Sequence, residues 1–404
     1  MSNPSNLNIA ARPLAHGLSV ADLRHRAALL LPDIAEGSAD RERERVLPRD
    51  QIRRLAEARL LTFRIPQSYG GSGSTVREVV QFIIDLAAVD SNIAQALRPS
   101  FLFIDSLLAS APEDQRALWF SRYLAGQVVG NAGWEIGGNN GAVATRIVKD
   151  DDAFRVTGAK YYSTGGLYSD WILAVATDEA DELVVFVLPT DREGLELVDD
   201  FDAMGQRLTA SGTTNLNGVI VHPEDIQQRA FDDGKRSIVT PFAQLFLAAV
   251  EAGIARNVLA DAVRFAREKA RPIKHSSALR SVDDPYVEHA VGEISARAFA
   301  AEAAVLRAAD SIDAAWAADL DEAAVDLAAV DVAQAQYIAV EAALKAAERL
   351  FDVGGASTTG RSHNLDRHWR NARTVANHNP RDWKAAAVGA YRLKGTALPV
   401  SGLF

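Results

Sequence analysis

The stretch Leu365-Asp366-Arg367-His368-Trp369-Arg370-Asn371-Ala372-Arg373-Thr374 continues through Val375-Ala376-Asn377-His378-Asn379-Pro380 and follows a glycine break at Gly354-Gly355. That break closes an alanine-rich run from Glu322 to Leu350, in which Val325, Ala328, Val332, Ala335, Ile338 and Ala342 recur on one helical face. A double glycine after such a run is a helix C-cap signal. Alanine lets helices approach closely, so this zone, with Ala298 to Ala317, reads as a tightly packed bundle. The acids Asp319, Asp321 and Glu322 are expected to start a helix and to be solvated there, with no metal bound.

Upstream the pattern changes. From about Val128 to Ile226 the chain reads as strands: Phe154 to Gly158 alternates apolar and polar residues, and Trp171–Val175 and Leu183–Leu188 form a hairpin-like pair. Leu216 to His222 is a further strand, ending at Pro223. No long helical pattern separates these strands, which favours an antiparallel sheet or small barrel over a parallel nucleotide-binding sheet. From about Ser19 to Gln127 helices dominate, with stripes at Ile52, Leu55, Ala56 and Leu60 and at Val79, Val80, Ile83, Ile84 and Ala87. Between them, Ile65-Pro66-Gln67-Ser68-Tyr69-Gly70-Gly71 reads as a turn. Three units follow: residues 19–127 helical, 128–230 β, and 231–404 helical, an α+β chain.

Composition excludes several classes. The 404 residues include no cysteine, so disulfides, thiolate nucleophiles and cysteine-bound metals are ruled out. A net charge of −10 argues against nucleic acid as a partner. The N-terminus, Met1 to Gly17, lacks the apolar core of a secretory signal, and Gln244 and Glu251 interrupt the best apolar stretch, Phe242 to Ile254. No membrane span is expected, and a cytoplasmic protein is. G-x-G-x-x-G, P-loop, H-E-x-x-H and G-x-S-x-G motifs are all absent.

Five segments carry candidate chemistry. Gly158-Ala159-Lys160-Tyr161-Tyr162-Ser163-Thr164-Gly165-Gly166 ends a strand in hydroxyls and glycines, which let backbone approach a flat ligand. Gly130-Asn131-Ala132-Gly133-Trp134-Glu135-Ile136 runs on through Gly137 to Gly141 as a glycine-rich loop. Lys269-Ala270-Arg271-Pro272 offers a guanidinium suited to phosphate. Phe351-Asp352-Val353-Gly354-Gly355-Ala356-Ser357 is the helix end already noted, and Arg367 to Asn379 carries His368 and His378. With an ordinary pKa of about 6.5, His378 can exchange protons near neutral pH. His368 reads as structural. Arg367, Arg370 and Arg373 read as makers of internal ion pairs or subunit contacts.

In this order, over a helix–β–helix chain, the five segments resemble the acyl-CoA dehydrogenase superfamily from about Leu23 onward. The resemblance implies a helical domain, a small antiparallel β-barrel and a four-helix bundle. By the Arg-Asn-Ala-Arg register, the dehydrogenases' catalytic glutamate falls on Asn379, and an amide cannot abstract a carbon-bound proton. The details resemble the flavin monooxygenase branch, the dibenzothiophene monooxygenase group and its sulfur-acquisition relatives. That likeness implies reduced FMN from a separate NAD(P)H-dependent flavin reductase, O2, a hydroperoxyflavin, and a small apolar, organosulfur substrate.

It assigns His378, Asn131 and Thr164 to catalysis. Asn131, Ala132, Gly133, Trp134, Glu135, Ile136, Lys160, Tyr161, Tyr162, Ser163, Thr164 and His378 would contact the flavin. Arg271, Ala356 and Ser357 would do so across a subunit boundary of a homotetramer. Gln95, Pro99 and Phe201 would face substrate; they replace the histidine, tyrosine and tryptophan of those monooxygenases. Two alternatives stay open: an FAD-dependent acyl-CoA dehydrogenase or oxidase with another base, Glu251 being a candidate, and a non-catalytic flavin- or partner-binding member.

Overall fold

The computed structural model describes residues 17–137, 143–227 and 236–404. The expected boundary at residues 230 and 231 falls outside these, as do Gly138 to Gly141 of the glycine-rich loop.

Seven helices come first: α1 Val20–Ala35, α2 Ser38–Glu44, α3 Arg49–Glu57, α4 Val76–Ala87, α5 Ser91–Ala96, α6 Arg98–Ser110 and α7 Glu113–Leu124. Capping boxes start two of them, Ser19 with Asp22 and Thr75 with Glu78, each supplying acceptors for N–H groups that the first turn leaves free. The Ile52 stripe forms α3 but the helix stops at Glu57, before Leu60. Arg59 turns left-handed at φ 62°, and this carries Leu60 into the core from outside the helix. The Ile65 to Gly71 turn is confirmed, and it needs a glycine: a Cβ on Gly71 would lie 2.1 Å from the Ile65 carbonyl oxygen.

The sheet contains β1 Val129–Ala132, β2 Arg146–Asp150, β3 Ala153–Lys160, β4 Trp171–Thr177, β5 Leu183–Pro189, β6 Leu195–Leu197 and β7 Thr214–Val221. Their order is β1-β4-β2-β3-β7-β6, with β5 on the other side of β4. The expected hairpin is β4 with β5, paired from Trp171 and Pro189 to Thr177 and Leu183. Two pairings differ from the antiparallel expectation. Strand β1 runs parallel to β4, Val129 beside Trp171, and β2 meets β4 in parallel at Arg146 and Thr177, so the sheet is mixed. A parallel pair needs a long connection, and the β2–β3 hairpin with its following turn provides one. Ile147, Val156, Ile172, Ala174, Phe186, Leu188, Leu216, Val219 and Val221 fill a separate core under this sheet.

The chain then returns to helices: α8 Val239–Glu268, α9 Pro285–Ala317, α10 Glu322–Arg349, α11 Arg367–Ala376 and α12 Arg381–Lys394. Asp284 caps α9 and Asp321 caps α10, as acids at a helix start should. Helices α8, α9 and α10 pack against one another, and α11 lies across α8 and α10. Helix α4 docks on α8 where Gly253 leaves room; a Cβ there would meet the Ala87 Cβ at 2.4 Å. The first and last zones therefore share one hydrophobic core. Helices Val239–Glu268 and Glu322–Val353 are long and apolar enough to cross a membrane by composition, contrary to the sequence reading, but 83% and 56% of their apolar windows are buried inside the protein.

Candidate active site

The short junction between α5 and α6 organises the site. Asp90 caps α5 through the N–H groups of Asn92 and Ile93, and Pro99 is the second residue of α6, where its missing N–H costs nothing. Ser100 Oγ then donates to the Val129 carbonyl at 2.8 Å and accepts from the Val129 N–H at 3.0 Å, which fixes the start of α6 to β1. The turn after β3 closes the other side. Gly165 is left-handed, φ 76°, and a Cβ on it would lie 2.4 Å from the Ala96 carbonyl oxygen. The Asn131 N–H donates to the Thr164 carbonyl at 3.2 Å. Gln95, Pro99, Asn131 and Thr164, far apart in sequence, thus meet around one junction.

The loop after α11 brings His378 to the same place. Its Nε2 accepts from the Gln95 Nε2 amide at 3.3 Å, an arrangement that puts the neutral imidazole's own proton on Nδ1. The His378 ring keeps an exposed face. Protein nevertheless surrounds it closely enough for desolvation, then the Arg98 charge, to lower its pKa to about 4. At that value the imidazole is neutral at pH 7, where the sequence reading expected a group titrating near neutrality.

Asn379 beside it is buried and donates to the Gln244 Oε1 of α8, while Gln244 Nε2 donates to the Gly402 carbonyl at 3.2 Å. Glu251, one heptad further along α8, is wholly buried with neither carboxyl oxygen bonded among the described residues. Burial raises its pKa well above the ordinary value, against the weaker pull of Arg373. Burial without a hydrogen-bond donor disfavours the charged form of this carboxyl.

The β-sheet side splits into two groups. Glu135 and Lys160 hold each other: Lys160 Nζ donates to Glu135 Oε1 at 2.6 Å, and Glu135 also accepts from the Thr145 N–H and hydroxyl and from the Ala144 N–H. Ser163 Oγ accepts from Thr214 at 2.7 Å, and the Thr164 hydroxyl lies 3.0 Å from Ser211 Oγ. These side chains are engaged inside the protein. In contrast, Trp134, Ile136 and Tyr162 are exposed, Tyr162 on a left-handed backbone at φ 60°. Asn131 Oδ1 is buried without a hydrogen-bond partner among the described residues. Gly133 packs near Asn131, and Ala132 is buried under the sheet. Phe201 is buried with its ring 6.5 Å from that of Tyr161.

Three comparisons match this architecture. Models of the acyl-CoA dehydrogenase N-terminal, middle and C-terminal domains match residues 27–127, 135–219 and 245–383. A dibenzothiophene monooxygenase of Mycolicibacterium goodii is 32% identical over 385 residues, 89% of each chain. The chain belongs to the acyl-CoA dehydrogenase superfamily. Within it, the likeness is to the flavin monooxygenase branch. A probable FMNH2-dependent monooxygenase, SfnC of Pseudomonas putida, is 30% identical over 90% of this chain and 93% of its own. FMN-bound TdsC from Paenibacillus sp. A11-2 superposes with a TM-score of 0.87 at 26% identity, covering 94% of this chain and all of its own. Methanesulfinate monooxygenase MsuC of Pseudomonas fluorescens superposes at 0.86 and 28% identity, covering 94% and 99%.

In this superfamily member the remaining predicted residues lie apart. Arg271, Ala356 and Ser357 are exposed. Gln244 and Arg271 are separated by 27 positions along and just past α8, roughly 40 Å at a helical rise. The arginines of the C-terminal stretch mostly brace the fold. Arg367 and His368 both bond Asp261 on α8, at 2.6 and 2.8 Å. Burial, reinforced by Arg367, lowers the His368 pKa to about 4, as befits a structural histidine. Arg370 pairs with Glu42 at 2.7 Å, and Asn371 Oδ1 accepts the Gln206 N–H at 2.7 Å. A small recess of about 80 Å³ among Asp261, Phe265, Lys269, His363 and Leu365 is separate from the site. The sequence reading missed Arg98 and gave Gln244 no role. Their signals were present: an arginine inside the Gln95 to Ser100 segment, and a glutamine seven residues before a glutamate in an otherwise apolar helix.

Proposed function

We propose that this protein is a two-component monooxygenase that takes reduced FMN from a separate NAD(P)H-dependent flavin reductase and, with O2, oxygenates an organosulfur substrate. The observation that carries the reading is the pair at residues 378 and 379. A buried amide held by Gln244 falls, by the Arg-Asn-Ala-Arg register, at the dehydrogenase base position, and a neutral imidazole in contact with Gln95 stands next to it. The relatives' names support the same activity. Residues on the sheet side fit a flavin: an orphaned buried acceptor at Asn131 Oδ1 suits a ring N–H, and the exposed Trp134 and Tyr162 rings suit an apolar face. Bound reduced flavin would supply the activation of dioxygen. Asn131 would orient the ring edge, His378 with Gln95 would hold or move a proton at Nε2, and the Gly165 turn against Ala96 would keep water out. Arg271, Ala356 and Ser357 would complete the site of a neighbouring copy in a cytoplasmic homotetramer.

The test is turnover of a sulfinate or sulfide with reduced FMN, supplied by a separate reductase, against a nicotinamide cofactor alone. Turnover only with reduced FMN, lost on His378→Ala and Asn131→Ala, is the expected result. Turnover with the nicotinamide alone overturns it. Anaerobic bleaching of bound FAD by an acyl-CoA thioester would favour dehydrogenation instead.

A further inference from the structure

We infer that residues 398–404 form a clasp that positions the loop carrying His378 and Asn379, with Gln244 as the positioning residue through which the clasp acts. The inference deepens the monooxygenase reading and rests on it. It starts from how the segment is held. Helix α12 ends at Lys394, Gly395 turns left-handed, and the chain folds back with no helix or strand of its own. Leu398 and Phe404 are buried against Ala329, Val330 and Ala333 of α10, while residues 399–403 between them are exposed. Side-chain donors fix the segment by its backbone oxygens. Arg236 donates to the Pro399 carbonyl at 2.9 Å and to the Phe404 backbone oxygen at 3.0 Å, and its Nε pairs with Asp326 of α10 at 3.0 Å. Lys384 of α12 donates to the Leu403 carbonyl, and Gln244 of α8 to the Gly402 carbonyl at 3.2 Å. The Phe404 ring has two cations as neighbours, Lys384 Nζ at 4.6 Å and the Arg236 guanidinium at 5.6 Å.

Gln244 joins this clasp to the site. Its side chain is buried and engaged at both ends, Nε2 on the Gly402 carbonyl and Oε1 under the Asn379 amide. An amide has one donor end and one acceptor end, so Gln244 cannot turn to replace a lost Gly402 carbonyl without giving up Asn379. Asn379 has no second side-chain anchor, because its Oδ1 is unbonded among the described residues. The segment also holds the far side of the loop: Pro380 leads into α12, and Lys384 lies one turn inside that helix. His378 is fixed by its N–H on the Val375 carbonyl at 3.1 Å and by Gln95 at its Nε2. A displaced Asn379 therefore shifts this ring against Gln95. Apart from the Phe404 N–H on the Ser401 carbonyl, the clasp has no backbone bonds of its own, so it opens without unfolding the helices. Opening strips acceptors from Gln244, Arg236 and Lys384 together, and that penalty keeps the clasp closed at rest.

The test is amide hydrogen exchange of the purified full chain as wild type, Phe404→Ala, Gln244→Leu and the double variant. Asn377 and His378 report the loop, Phe404 or its replacement the clasp, and α9 the remote fold. Phe404→Ala should speed exchange at the clasp and, by roughly tenfold, at the loop, with α9 unchanged. Gln244→Leu should speed the loop by as much, and adding Phe404→Ala should then change it by less than about twofold, because the link is already cut. With reduced FMN, Phe404→Ala should lower kcat by about fivefold and leave KM unchanged. Phe404→Leu should give the same pattern in milder form, and it carries the test if Phe404→Ala does not fold. Loop exchange that stays slow once the clasp has opened, a clasp as protected in the variant as in wild type, acceleration of α9 alongside the loop, or effects that multiply in the double variant each overturn the proposal. So does a loop that loosens with kcat unchanged. A wild type whose loop and clasp exchange together, but which never turns over with reduced FMN, would reject the monooxygenase reading alone.

Discussion

Replacing Lys160 with methionine isolates the buried pair under the proposed flavin site. The Lys160 side chain is fully buried, that of Glu135 is 9% exposed, and they meet at 2.6 Å. The partners fare differently. Burial outweighs the help that Lys160 receives from Glu135, so the ammonium pKa falls. Burial also opposes ionisation of Glu135, but Lys160, Thr145 and Ala144 together hold its pKa down to about 2. Against an ordinary value of 4.5, that is a net stabilisation of the folded state of roughly 3.4 kcal/mol, left after the donors together have offset the cost of burial. Removing one partner of a buried pair costs about 3–5 kcal/mol. Glu135 keeps its three bonds to Thr145 and Ala144, which places Lys160→Met at the lower end, about 3 kcal/mol.

The pH dependence follows from the depressed carboxyl. Its contribution is fully present above about pH 4.5 and is lost as pH falls toward about 2. Urea unfolding followed by tryptophan fluorescence measures both quantities. Lys160→Met should lose about 3 kcal/mol at pH 7, with the deficit shrinking below pH 4.5. The double variant Lys160→Met/Glu135→Gln should recover most of it. A loss under about 1 kcal/mol at pH 7, or a deficit that persists unchanged as the solution is acidified, would refute the reasoning.

The ring signals of His378, assigned by their disappearance in His378→Gln, should titrate at about 4, and a midpoint near the ordinary 6.5 would contradict its placement. Because that folded-state pKa is depressed, His378 should withdraw stability as pH falls from about 6.5 to about 4, where the unfolded chain takes the proton first. Gly165→Ala puts a Cβ 2.4 Å from the Ala96 carbonyl on a left-handed backbone. It should cost roughly 1–3 kcal/mol by thermal denaturation and weaken FMN binding, and an unchanged melting temperature would count against the close packing described. Gln244→Leu leaves the Asn379 amide and the Gly402 carbonyl without their partner. A loss of about 1–3 kcal/mol and a lower kcat with reduced FMN should follow, both measured beside a Gln244→Glu control.

How far the sequence alone reaches differs between elements. The helix-to-sheet-to-helix order was legible because the side-chain period changes from 3.6 to 2 and back, and period is a local property. The capping acids Asp284 and Asp321 and the β4–β5 hairpin were legible for the same reason, whereas α10 is capped at Leu350 and not at the double glycine, which follows a further 3-10 turn. Strand direction was not. The parallel pairing of β1 with β4 depends on how a distant strand returns, which no local pattern records.

For the site, residue identity was decided by the sequence: a histidine at 378, an amide at 379, no cysteine anywhere. What those residues experience was decided only by packing. His378 titrates near 4 because of enclosure and Arg98, a neighbour 280 positions away in the chain. Lys160 and Glu135, read as ligand contacts, spend their charges on each other because β3 and the loop after β1 lie side by side. Arg98, to which the sequence reading gave no role, is half-buried with no carboxylate partner among the described residues. Periodicity and residue chemistry are written along the chain, whereas desolvation and charge pairing arise between segments that only the tertiary structure brings together.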